Sequence, residues 1–104
     1  MNTKQWQAYS FLFQMGNIGS EISRATMFKE QYNERSRQSF EIALDLLDLT
    51  IKDPKNVGRL AELCRLREVA ADYFYADNQY QSKAQEWNDY FQPFAYAAAV
   101  ERGL

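Results

Sequence analysis

Glu41, Asp45 and Asp48 are spaced four and three residues apart, so a helix through them carries three carboxylates on one face. This trio is the nearest approach in the chain to a metal or acid–base constellation; its simpler reading is a solvated acidic strip. The sequence has no histidine, which removes Glu-x-x-His metal sites and the Ser-His and Cys-His nucleophile pairs. Cys64 is the only cysteine, so neither an internal disulfide nor a cysteine zinc site can form. Gly16-Asn17-Ile18-Gly19 has G-x-x-G spacing, but it lies within a helical pattern with no strand before it and makes a poor phosphate loop. These residue types point to a protein with no catalytic role, no metal and no cofactor.

Contact chemistry is better represented. Tyr73, Phe74, Tyr75, Tyr80, Trp87, Tyr90, Phe91, Phe94 and Tyr96 crowd the C-terminal part of the chain. Helical spacing assigns Phe74, Trp87, Phe91 and Phe94 to a core. It leaves Tyr75, Tyr80 and Tyr96 for the surface, where tyrosine is a common contact residue. Arg24, Arg35, Arg37, Arg59 and Arg65 are the candidates for nucleic-acid contact, their alternative being ordinary surface arginines with carboxylate neighbours. The net charge of −2, from 12 Lys and Arg against 14 Asp and Glu, argues against a nucleic-acid partner, because phosphate binding leaves a basic footprint.

The elements that position these residues read as helices. Two prolines and four glycines in 104 residues leave little punctuation. A first helix is predicted from Asn2 or Thr3 to about Lys29 or Gln31, with Phe11, Met15, Ile18, Ile22 and Ala25 on one face. Gly16 and Gly19 within it imply either close approach by a neighbouring helix or a break. After a turn at Tyr32 to Arg35, a second helix spans Glu34 to Lys52. Its apolar and small positions cover about 220° of arc, twice what one packed face needs. Phe40, Ala43, Leu44, Leu47 and Ile51 form one stripe; Ile42, Leu46 and Leu49 form another on nearly the opposite side. The second stripe is the predicted contact with another chain, a second copy or a heterologous protein.

Pro54 ends this helix, and a third runs from about Val57 to Phe74 with Leu60, Leu63, Cys64, Ala70, Ala71 and Phe74 inward. Arg67 falls amid those positions and needs a partner, for which helical geometry suggests Glu21; the alternative is a head group reaching outward to water. Ser82 to Gln85 reads as a capping box opening a fourth helix, kinked or split at Pro93. The expected fold is therefore all-α, an antiparallel up-down four-helix bundle occupying residues 1–104 as a single domain. No run reaches the ~20 apolar residues of a membrane span, and the polar start Met1 to Trp6 does not resemble a secretory leader. A reducing cytoplasm is the expected compartment.

Gln14-Met15-Gly16-Asn17-Ile18-Gly19-Ser20-Glu21-Ile22-Ser23-Arg24-Ala25 resembles the Asn-Ile-Ala-Glu-Gly segment of a bacterial four-helix-bundle family. That family is encoded in ribosomal RNA intervening sequences and is related to the accessory variability proteins of diversity-generating retroelements. Phe40 to Leu47 is similarly arranged, and the likeness covers about the first half of the chain. The resemblance implies a four-helix bundle in a ring-like homo-oligomer. For the retroelement members it also implies binding to a reverse transcriptase and nucleic acid. Those members are basic, whereas this chain is acidic. The resemblance transfers no catalytic residues.

Overall fold

The computed structural model describes residues 2–29 and 34–103. All its regular elements are helical. The first predicted helix is two helices. α1 (Thr3–Gln7) is capped by Asn2, whose side-chain oxygen accepts the Gln5 N–H at 2.8 Å. α2 (Phe11–Lys29) starts after Ser10, whose hydroxyl accepts the Phe13 N–H. The break therefore falls at Ala8–Ser10, not at Gly16 or Gly19. Before the break, the Trp6 indole is 1% exposed and donates to Thr50 Oγ1 at 2.8 Å, tying α1 to the next long helix.

α3 spans Glu34–Lys52, as the periodicity predicts; the turn expected at Tyr32–Arg35 lies partly outside the described residues. Asp53 leaves the helical region and caps a 3-10 helix, Pro54–Arg59, by accepting the Lys55 N–H. This short helix replaces the first turn of the predicted third helix and leads into α4 (Leu60–Tyr75). α5 covers Ala84–Glu101. It begins two residues after Ser82, which is instead held in the preceding loop by both ends of the Asn78 amide. The glutamate arm of a capping box survives: the Glu86 carboxylate accepts the Lys83 N–H at 2.9 Å. α5 runs unbroken through Pro93, which removes the alternative of a split there.

Packing centres on α2, with α3 against one side and α5 against the other; α4 lies on α3. Met15, Ile18, Ile22 and Ala25 of α2 are buried, as predicted, against Phe40, Ala43 and Leu47 of α3 and Phe91 of α5. The two glycines have separate consequences. A Cβ on Gly19 would sit 2.7 Å from the Phe91 Cβ, whereas one on Gly16 would meet Ala98 at an ordinary 3.7 Å. Close approach at Gly19 is what lets α5 seat directly on α2.

α4 presents Leu63, Leu66, Ala70 and Tyr73 to the core. Leu60 and Cys64, expected inward, are exposed. They lie roughly 100° or more around the helix from the buried stripe at 100° per residue. The expectation had the correct periodicity and the wrong rotation.

A polar junction ties α1, α2, α3 and the 3-10 helix together. The buried Gln14 amide donates to the Trp6 carbonyl and to Asp53 Oδ2, each at 2.9 Å. Asn56 donates to Gln14 Oε1 and the Thr50 carbonyl, each at 3.0 Å. Bonds to Lys55 and Gln14 outweigh the burial that acts on Asp53 in the opposite sense, so its carboxyl lies below the usual carboxylate range. Interior polar groups carry such a network only when each member is satisfied.

Candidate interaction surface

The residues singled out from sequence do not gather at one place. On α3, Ile42 is 47% exposed, while Leu46 and Leu49 are half-buried and packed against the core. All three lie on the flank of α3 away from Asp48, the residue that reaches α4. Tyr75 is 57% exposed at the end of α4, with one edge on the Phe40 ring. Tyr96, 67% exposed, stands on the outer side of α5. Tyr80 lies in the α4–α5 connection, 43% exposed, beneath the Arg65 guanidinium at 4.9 Å from the ring centroid. Its hydroxyl bonds the Glu68 carboxylate, which holds the phenol proton on.

The ion pair expected between Arg67 and Glu21 does not form. Arg67 Nε donates to Asp48 Oδ1 at 2.6 Å, joining α4 to α3, and Glu21 pairs with Arg24 on its own helix. The reason is rotational. Arg67 lies on the flank of α4 that faces α3, partly exposed and not in mid-core, while Glu21 belongs to a helix α4 scarcely touches. The acidic strip of α3 is thereby spoken for in part: Asp48 by Arg67, Glu41 by Arg37.

Among the proposed nucleic-acid arginines, Arg24 binds Glu21, Arg37 binds Glu34 and Glu41, and Arg59 binds Glu62 while covering the Phe11 ring at 4.5 Å. Arg35 is exposed near the start of α3 and Arg65 sits on Tyr80. Local carboxylates thus pair with Arg24, Arg37 and Arg59. Among the described residues no group of three or more His, Cys, Asp or Glu side chains is placed to hold a metal ion. Nor is any described helix long and apolar enough to cross a membrane.

One feature was missed in the sequence. α4 and α5 meet through large side chains with little close backbone approach: the Tyr73 and Trp87 rings at 5.8 Å, and the Tyr90 hydroxyl donating to Glu62 at 2.8 Å. Burial, and then the Glu62 carboxylate it binds, pushes the Tyr90 phenol well above the ordinary tyrosine range. Between the two helices lies a cleft of about 300 Å³. The i,i+3 spacing of Trp87 and Tyr90 was the one sequence signal for it, and it reads equally as core. No known protein family, characterised protein or solved structure matches this chain.

Proposed function

We propose that the chain is a non-enzymatic interaction and assembly module, an antiparallel up-down bundle of its four long helices that self-associates along the flank of α3. The observation that carries this reading is Ile42, nearly half exposed, in line with the half-buried Leu46 and Leu49 four and seven residues on. A single exposed isoleucine is ordinary on a protein surface, but a stripe at helical spacing forms a continuous seam for a second helix. Tyr75, Tyr80 and Tyr96 extend the accessible aromatic surface around the molecule. The sequence resemblance to ring-forming bacterial helical bundles agrees with this reading. The lone exposed Cys64 suits a reducing cytoplasm, where it stays a thiol.

Light scattering across a wide concentration range, at two salt concentrations, tests the proposal. A stable, salt-insensitive oligomer that Ile42→Glu converts to monomer is the expected result. A monomer at every concentration rejects self-association. The second reading, an accessory protein that binds nucleic acid, draws on the Arg65–Tyr80 pair, in which a guanidinium and an exposed ring share one surface. It predicts binding that weakens steeply with salt, and the carboxylate pairing of Arg24, Arg37 and Arg59 weighs against it.

A further inference from the structure

The cleft between α4 and α5 has apolar walls, Leu66 and Val69 from one helix and the Trp87 and Tyr90 rings from the other. Its volume of about 300 Å³ falls at the small end of the range for organic ligands. Glu62, Arg65 and Glu86 line it as well, and these three charges are not equivalent. Both oxygens of Glu62 are taken, Oε1 by Arg59 and Oε2 by the Tyr90 hydroxyl. Arg65 has a glutamate three residues to either side, yet pairs with neither. Glu62 is held by Arg59, and Glu68 bonds the Tyr80 hydroxyl. The Arg65 guanidinium lies on the Tyr80 ring at 4.9 Å from its centroid, a contact that orients it and supplies no counter-charge.

Glu86 is the opposite charge at the same cleft. Its Oε1 accepts the Lys83 backbone N–H, and among the described residues its carboxylate is in no ion pair. One cation and one anion thus stand at an apolar cleft without neutralising each other. An anionic ligand would bring its charge beside two glutamates, and a cationic one beside Arg65. A zwitterion answers both signs. We propose that the α4–α5 cleft binds a free apolar α-amino acid, its carboxylate on Arg65 and its ammonium on Glu86. The apolar side chain lies between Leu66 and Val69 on one wall and the rings of Trp87 and Tyr90 on the other. Exposed charges by themselves hold a ligand weakly. Burial of the side chain supplies the remaining attraction, and the two charge-assisted contacts set the orientation.

The test titrates the ¹⁵N-labelled full chain with L-phenylalanine and follows the backbone amides of Leu66, Val69 and Trp87. Phenethylamine, which lacks the carboxylate, and 3-phenylpropanoate, which lacks the ammonium, are the comparison probes. The expected result is a saturable shift of these amides in the millimolar range, with each one-charge analogue binding about tenfold more weakly. Arg65→Gln weakens L-phenylalanine about tenfold and does not weaken phenethylamine. Glu86→Gln weakens L-phenylalanine to a similar extent and does not weaken 3-phenylpropanoate. Both positions are exposed, and glutamine can still accept the Lys83 N–H, so the fold is kept. Amides that stay still through the millimolar range overturn the site. An analogue that binds as tightly as L-phenylalanine overturns recognition of the zwitterion, and the wild-type titrations decide both points without either variant.

Discussion

At the scale of single residues, the two helical glycines are a controlled comparison. Replacing either with alanine gains up to about 1 kcal/mol of helix propensity. At Gly16 the new methyl meets Ala98 in ordinary contact, so Gly16→Ala raises the melting temperature. At Gly19 it collides with the stem of Phe91, where no flexible end can move aside. Overpacking of this kind costs about 1–3 kcal/mol, and Gly19→Ala therefore lowers stability. Thermal unfolding of the two variants checks the opposite signs. Asp53 carries a second residue-scale prediction. Its carboxyl titrates below the normal range when folded, so the folded chain holds fewer protons than the unfolded one in that interval. The stabilisation is fully present above the unfolded carboxylate value near ~4 and is lost as pH falls through the folded one. Urea unfolding from pH 6 down to pH 2 shows a steeper loss for the wild type than for Asp53→Asn; matching slopes contradict the assignment.

At the scale of elements, Pro93 is the clearest cost. It sits ten residues into α5, has no N–H for the Asp89 carbonyl, and leaves the helix unbroken. An interior proline costs about 3 kcal/mol relative to alanine, partly offset because it also restricts the unfolded chain. Pro93→Ala accordingly stabilises the fold by about 1–2 kcal/mol, read as a rise of several degrees in melting temperature. A fall would mean that α5 relies on a bend at Pro93 to follow α2. α4 shows a different element-scale effect. It is apolar on more than one side, and the side chains that reach its neighbours set its rotation: Phe74 stacked on Phe40 at 4.1 Å and Arg67 on Asp48. That rotation turns Leu60 and Cys64 outward.

At the scale of the whole molecule, the four long helices close unequally. Glycine makes the α2–α5 contact tight, while the aromatic rings of Tyr73, Trp87 and Tyr90 hold α4 and α5 apart. The cleft follows from that asymmetry. If α3 is shared between chains, association and folding are linked, and the melting temperature rises with protein concentration by mass action. Scanning calorimetry at concentrations tenfold apart checks this, with Ile42→Glu losing the dependence. An identical melting temperature at both concentrations argues for a chain that is stable alone and whose α3 flank stays in solvent.

The sequence alone determined what depends on neighbours within a few residues. The extent of α3 and the buried stripe of Met15, Ile18, Ile22 and Ala25 follow from helical periodicity. At Gly16 and Gly19 the sequence offered close approach or a break, and the tertiary structure put the close approach at Gly19. The exposure of Tyr75, Tyr80 and Tyr96 was legible for the same reason: they stand off the periodic stripe. Only the tertiary structure decided how each helix turns about its axis. One residue is 100° of rotation, so a small turn of α4 exchanges Asp48 for Glu21 as the partner of Arg67 and carries Cys64 from core to surface. The break at Ala8–Ser10 was likewise hidden, and the short helix before it is tied down by a bond from Trp6 to Thr50, forty-four residues on. The α4–α5 cleft depends on both kinds of distant information, the rotation of two helices and the bulk of the rings between them.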